Sequence, residues 1–252
     1  MKATRRSLIE RVLAEYDISE QEARAHIMGG RVFVNETREH RPGFRLTSND
    51  RVRLDIPTPD INRAAAKLRG ALRESGMRVQ AANAIDLGCA HGGFTQVLLE
   101  AGAVHVVAID VAYGIFDYRL RNDARVRLLE RHNVREISRE WFRAEELAGT
   151  LRVVCDIAFL SLRSILDAWQ VFLSQPGPSI LGEGLFLLKP QFENSRATDR
   201  GVLRDDVLRS QIIADMEGYA QSTGYELLGS FNSSVPGASG NREQFLHLAF
   251  RS

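Results

Sequence analysis

Lysine is nearly missing from this 252-residue chain. Of its 33 basic residues only Lys2, Lys67 and Lys189 are lysines, and the other 30 are arginines. A genome that favours arginine codons accounts for the scarcity. It also makes an internal lysine conspicuous, because an ordinary surface cation here is an arginine. Cysteine is just as sparse. Cys89 and Cys155 are the only two, and no Cys/His cluster has zinc-ligand spacing. That argues against a metal site and for a reducing, cytoplasmic setting in which no disulfide is expected. No apolar run approaches the ~18–20 residues of a membrane span. The opening stretch MKATRRSLIERVLAEYDISE has neither the apolar core nor the cleavage site of a secretory signal. No stable membrane association is therefore expected. The chain also lacks internal repeats, low-complexity runs and the Gly-Lys-Ser/Thr loop of a nucleotide triphosphate site.

What is present reads as a soluble globular protein, with 44% hydrophobic and 26% charged residues. The net charge is only +1, but it is unevenly spread. Residues 1–80 hold sixteen basic against eleven acidic residues, and residues 61–80 carry Arg63, Lys67, Arg69, Arg73 and Arg78 against Glu74 alone. A basic front on a slightly acidic body suits a polyanionic partner held on one side.

Residues 1–56 form one unit by pattern. Leu8, Ile9, Val12 and Leu13 recur at helical spacing. Ser19 and Glu22 fit a capping box opening a second helix, which Ala23, Ala25, Ile27 and Met28 continue and Gly29-Gly30 end. RVFVN and RVRLDI alternate as strands around a turn at HRPG. PTPD at 57–60 reads as a linker, placed at 57–61, with a larger domain over 62–252. The stretch EARAHIMGGRVFVNETREHRPGFRLTSNDRVRLD resembles the small RNA-binding domain named after ribosomal small-subunit protein four. Such modules bind RNA by shape and phosphate contacts. The resemblance makes Arg5, Arg6, Arg24 and Arg31 the candidate contacts there, with Arg63 and Arg69 added from the basic stretch that follows.

The body alternates apolar strands (NAIDLG, HVVAID, RVRLLE, RVVCDIAFL, GLFLLKP) with helical stretches near 94–101, 115–121, 138–147 and 163–174. A long amphipathic stretch at 203–222 precedes YELLGSF and EQFLHLAF. The fold class is therefore α/β: a Rossmann-like, doubly wound, mostly parallel sheet beside a small α+β module, with ligands at the carboxyl ends of the strands. The loop Asp86-Leu87-Gly88-Cys89-Ala90-His91-Gly92-Gly93-Phe94 follows the first strand and opens a helix. Its glycines permit a tight turn and close approach of backbone to a ligand. Asp110, twenty-two residues beyond Gly88, stands where a carboxylate accepts hydrogen bonds from the hydroxyls of an adenosine ribose. The spacing alone fits NAD or S-adenosylmethionine.

Four further polar residues stand at or beside strand ends: Asp156 after RVVC, Lys189 after GLFLL, Glu243 before the last strand, and Lys67 on the helix before the body. Charges at the ends of core strands need partners, and these converge on one pocket if the strands ending at Asp156 and Lys189 adjoin the cofactor strand.

Nearly end to end, the chain resembles the TlyA (haemolysin A) family, an RNA-binding module fused to an FtsJ-like ribose methyltransferase. The segments carrying this are AKL (66–68), DLGCAHGGFT, DVAYG, LRND, ERHNVR, DIAFLSL, LLKPQFE, RGVLRD and GNREQFLHL. The resemblance implies S-adenosylmethionine as cofactor and ribosomal RNA or ribosomal subunits as partner. It implies a catalytic tetrad at Lys67, Asp156, Lys189 and Glu243. It also implies a cofactor site made by Asp86, Gly88, Cys89, Ala90, His91, Gly92, Gly93, Phe94, Asp110, Asn133 and Asp156. Arg63-Ala64-Ala65, Ala90-His91 and Ala158 depart from the family's usual Arg-Gly-Gly, Ser/Thr pair and Ser.

A ribose hydroxyl is a weak acid, so transfer of a methyl to it calls for a base. Lys189 is the expected base: a second cation, Lys67, favours its neutral form, while Asp156 and Glu243 orient the amines. Guanidinium cannot take that role, because it does not deprotonate. The competing readings are a non-enzymatic RNA- or ribosome-binding protein, a haemolysin-like membrane-active protein, and an NAD enzyme, the last disfavoured by Gly92-Gly93 and the two-lysine site.

Overall fold

A computed structural model describes residues 6–16, 18–30, 32–54, 61–194, 198–237 and 240–252. The chain separates into two compact units, Met1–Pro59 and Asp60–Ser252. In the first, helices α1 (Leu8–Glu15) and α2 (Glu20–Met28) precede strands β1 (Val32–Val34), β2 (Thr37–Arg38) and β3 (Val52–Leu54), paired in the order β2-β1-β3. Both helices start at capping boxes. Ser7 N–H donates to Glu10 at 2.7 Å and Ser19 N–H to Glu22 at 2.8 Å, and each serine hydroxyl accepts the amide of its glutamate. Leu8, Val12, Ala23, Ile27 and Val32 make the core. Leu13 and Met28, read from spacing as part of the apolar face, are exposed.

The second unit opens with α3 (Ile61–Ser75). It continues β4 (Asn83–Leu87), α4 (Gly93–Glu100), β5 (His105–Asp110), the single turn α5 (Tyr118–Arg121), β6 (Val126–Glu130) and β7 (Thr150–Cys155). Then come α6 (Leu162–Ser174), β8 (Leu181–Leu188), the short α7 (Pro190–Glu193), α8 (Asp206–Ser222), β9 (Glu226–Asn232) and β10 (Gln244–Arg251). The seven-stranded sheet runs β6-β5-β4-β7-β8-β10-β9. Strands β4 to β8 pair in parallel with one another, and β10 is antiparallel to both β8 and β9. The strands are apolar on both faces because each face is covered. One apolar cluster holds Trp169, Phe172 and Leu166 of α6, and the other holds Leu68 of α3 and Leu98 of α4. This is the doubly wound Rossmann-like arrangement, and its ligand-binding edge is the row of carboxyl ends of β4, β5, β7 and β8.

Two expectations need correction. The stretch 138–147 is not an α-helix but two short 3₁₀ turns, Arg139–Trp141 and Ala144–Leu147. Side-chain anchors stop a continuous helix: Arg139 donates to the carbonyls of Leu173 and Pro178. Glu146 is pulled onto Arg127 of β6 by two parallel bonds of 2.6 Å. The second correction concerns β8. It pairs with β7 and β10 and not with β4, so the Lys189 strand lies one place further from the glycine loop than expected.

Glu146 is buried. Burial raises its proton affinity, but hydrogen bonds from Arg127 and the Arg143 amide hold its carboxyl below the usual range. Removing the cation from such a pair is costly. Arg127→Met is expected to lower unfolding free energy in urea by about 3 kcal/mol. Adding Glu146→Leu should recover most of it, and an unaltered midpoint in the single variant contradicts the assignment.

Candidate active site

The glycine loop is built by backbone bonding to β5. The amides of Gly88 and Cys89 both donate to the Ile109 carbonyl, at 2.9 and 3.1 Å. Asp110 then fixes two loops at once: one carboxylate oxygen accepts Ala90 N–H and the other Ala112 N–H, each at 2.8 Å. Gly88 has φ +83°, and a Cβ there would sit 2.7 Å from Ile157 Cγ1 and 3.1 Å from the Asp156 carbonyl oxygen. Only glycine lets the loop lie against the end of β7. Gly92, at φ +97°, faces inward, and its missing Cβ makes room for Leu120 and Phe116. As N-cap of α4 it also offers no side chain to the first-turn amides.

Beneath the loop, Asp86 is fully buried. One carboxylate oxygen accepts the Thr95 hydroxyl at 2.6 Å, and the other has no hydrogen-bond partner. Burial, reinforced by the negative Asp156 and Asp110, pushes its pKa up to about 7. Cys89 and Cys155 are buried free thiols. Burial pushes both up, Cys155 to about 12, so neither is a nucleophile at neutral pH.

The four charged residues meet, although they come from four separate segments. Lys189 directly follows β8, and its ammonium is 2.5 Å from Asp156 Oδ1. Lys67, on α3, is 3.6 Å from Asp156 Oδ2 and 2.7 Å from Glu243 Oε2. The chain Lys189–Asp156–Lys67–Glu243 is charge-balanced, and Lys67, Lys189 and Glu243 are each under a tenth exposed. Burial alone raises the Asp156 carboxyl, but the flanking Lys189 and Lys67 ammoniums outweigh it and hold Asp156 below the usual carboxylate range. These side chains open onto a cleft of about 550 Å³ whose wall also includes Gly88, Cys89, Ala90, His91, Gly93 and Phe94 of the loop. That size is typical of small-molecule sites. Asp86, Gly92, Asp110 and Asn133 are not in the wall. Asn133 caps a 3₁₀ turn by accepting Arg135 N–H, directly after His132, whose amide bonds the Asp110 carbonyl.

Across residues 61–250 the chain matches the model of the FtsJ-like methyltransferases. It belongs to that family. Similarity extends to TlyA proteins along nearly the whole length. The 16S/23S rRNA (cytidine-2'-O)-methyltransferase TlyA of Mycobacterium tuberculosis is 36% identical over 248 residues, covering 96% of this chain and 87% of TlyA. Hemolysin A of Brachyspira hyodysenteriae is 32% identical, covering 92% and 95%. A solved Streptococcus thermophilus structure, provisionally named a hemolysin, has a TM-score of 0.68 at 28% identity, covering 97% and 88%. Among the described residues no helix is long and apolar enough to cross a membrane.

Two of the arginines expected to touch RNA lie in this FtsJ-like domain and have partners within the chain. Arg63, in the cleft wall, donates to the carbonyls of Pro236 and Gly237, and Arg69 is paired with Glu100 at 2.8 Å. In the first unit Arg6 and Arg24 are exposed, with Arg24 beside Glu20; Arg5 and Arg31 lie outside the described residues. Sequence reading missed several cleft residues, three of them close to the tetrad in sequence: Phe159, exposed and at φ +65°, Phe192, whose ring lies 5.4 Å from it, and Gln191. All three sit within three residues of Asp156 or Lys189, which was the available signal.

Asp86 yields a pH prediction. Unfolded, an aspartate loses its proton near pH 4; folded, Asp86 keeps it to about pH 7. The folded chain thus binds the extra proton in that window, and this contribution to stability is full below pH 4 and lost as pH rises through 7. Asp86→Asn should remove a decline of a few kcal/mol between pH 4 and 7, read by denaturant titration. An identical pH profile for both chains contradicts the assignment.

Proposed function

We propose that this chain is an S-adenosylmethionine-dependent RNA methyltransferase that methylates a ribose 2′-hydroxyl of ribosomal RNA, cytidine being the acceptor in the names of its TlyA relatives. The observation that carries the reading is the convergence of Lys67, Asp156, Lys189 and Glu243 on a cleft whose opposite wall is a glycine loop. A protein that merely binds RNA has no use for two buried lysines balanced by one buried and one half-buried carboxylate. On stability grounds apolar residues would serve as well.

The cleft fits the cofactor in size and in chemistry. The α4 start has no side-chain cap, and Gly93 and Phe94 of its first turn lie in the wall, a place suited to a carboxylate. The half-buried Asp110 keeps lone pairs beyond the two amides it accepts, suited to ribose hydroxyls. Gly88, Cys89, Ala90 and His91 would line the bound molecule, Asn133 stands beside Asp110, and Asp86 and Gly92 support the loop from behind. Bound there, S-adenosylmethionine supplies an electrophilic sulfonium methyl.

The protein's own part is proton handling and orientation. Acting as the neutral amine, after its ammonium has given up a proton to solvent, Lys189 accepts the hydroxyl proton on Nζ, and Asp156 Oδ1 at 2.5 Å stabilises the ammonium that re-forms. Asp156 also ties Lys189 to Lys67, and Glu243 anchors Lys67 from the far side, so neither amine is free to swing. Residues 1–56 are the RNA-holding module, joined through 57–61 to the methyltransferase domain 62–252. Arg6 and Arg24 offer phosphate contacts on it.

Lys189→Arg keeps a cation beside Asp156 but cannot give up its proton. Methyl transfer from radiolabelled cofactor to isolated ribosomal subunits should fall at least about 100-fold, with cofactor affinity by calorimetry and thermal unfolding near wild type. Transfer at the wild-type rate would remove Lys189 from the role of base.

A further inference from the structure

Four buried side-chain atoms among the described residues lack a hydrogen-bond partner: Asp86 Oδ1, Trp169 Nε1, Gln191 Oε1 and Glu243 Oε2. Three have a local account. Asp86 carries a proton near neutral pH. Trp169 is embedded in the apolar core under the sheet. Glu243 Oε2 lies 2.7 Å from the Lys67 ammonium, an ion pair without hydrogen-bond alignment. Gln191 alone is neutral, under a tenth exposed and part of the cleft wall. An unmatched buried amide is costly to a free protein, and a ligand that satisfies it recovers the loss.

The position of Gln191 says which ligand. It sits on α7, two residues after Lys189, at the end of β8. The glycine loop and Asp110 occupy the ends of β4 and β5, and β7 separates β4 from β8. Gln191 therefore belongs to the half of the cleft on the base side, where the methyl acceptor lies, and not to the cofactor half. Pro190, with its fixed φ at the first position of α7, keeps the spacing between Lys189 and Gln191 constant. Phe192, next in sequence, adds an apolar ring to the same wall.

We propose that Gln191 reads the Watson–Crick edge of the acceptor nucleotide's base. A carboxamide presents one acceptor beside one donor, and the cytosine edge presents the complementary pair, the N4 amino group beside N3. Two parallel hydrogen bonds would orient the base and hold its own 2′-hydroxyl at Lys189. Gln191 is thus a positioning and specificity residue; it takes no proton. The inference rests on the RNA-methyltransferase reading above.

The test uses the full chain and ribosomal subunits. The nucleotide methylated by the wild-type chain is mapped first, and subunits are then prepared with its base replaced. Gln191→Met keeps the length and volume of the side chain and removes the amide. The expected result is a rise in KM or a fall in kcat/KM of about 10- to 100-fold on the native base. The preference for the native base over the replaced one should shrink by a similar factor, with cofactor affinity unchanged and the unfolding temperature equal to or above that of the wild type, because the unmatched amide is gone. Gln191→Asn, which shortens the reach, should show a smaller loss. If Gln191→Met keeps the wild-type base preference, the inference is overturned while the methyltransferase reading stands. If the wild-type chain methylates no subunit, both fall together.

Discussion

One carboxylate shared by two buried ammoniums organises this molecule. Asp156 sits between Lys189 at 2.5 Å and Lys67 at 3.6 Å, and Glu243 balances the second lysine. None of these charges is tolerable in the interior alone. Their mutual neutralisation dictates that α3, the end of β7, the end of β8 and the start of β10 come together at one edge of the sheet. The doubly wound topology supplies that edge, because parallel strands deliver their carboxyl ends to one side. The glycine loop completes the wall only because Gly88 can lie against the Asp156 backbone without a Cβ in the way.

The distribution of cations follows the same logic. Arginine does the structural tasks: Arg127 neutralises the buried Glu146, Arg63 pins the 236–237 backbone, Arg69 holds Glu100. Each uses the planar fork that guanidinium offers. Lysine is kept for two positions where a compact charge that can shed its proton faces a cleft.

Much of this was legible in the chain itself. The apolar runs gave strands of correct order along the sequence, the Ser19–Glu22 capping box formed as spacing implied, and the four tetrad positions stood out as polar groups at or beside apolar strand ends. What was not legible is what depends on partners distant in sequence. The 3₁₀ turns at 139–147 exist because Glu146 answers Arg127 and Arg139 answers carbonyls beyond α6, which no local periodicity encodes. The pairing of β8 with β10 instead of β4 is a topological choice between apolar strands that look alike. The pairing of Arg69 with Glu100, thirty-one residues away, is likewise set by the fold and not by local pattern. Gln191 was invisible because its significance lies in a bond it does not make.

The scarcity of lysine makes the central claim unusually easy to test. With lysine 15N-labelled, the chain has three side-chain nitrogen signals, from Lys2, Lys67 and Lys189. The account predicts that the Lys67 and Lys189 ammonium protons exchange slowly with water, and that Asp156→Asn perturbs both signals while leaving Lys2 unmoved. Lysine signals at 67 and 189 that exchange as fast as Lys2 and ignore the Asp156 change would contradict the shared network.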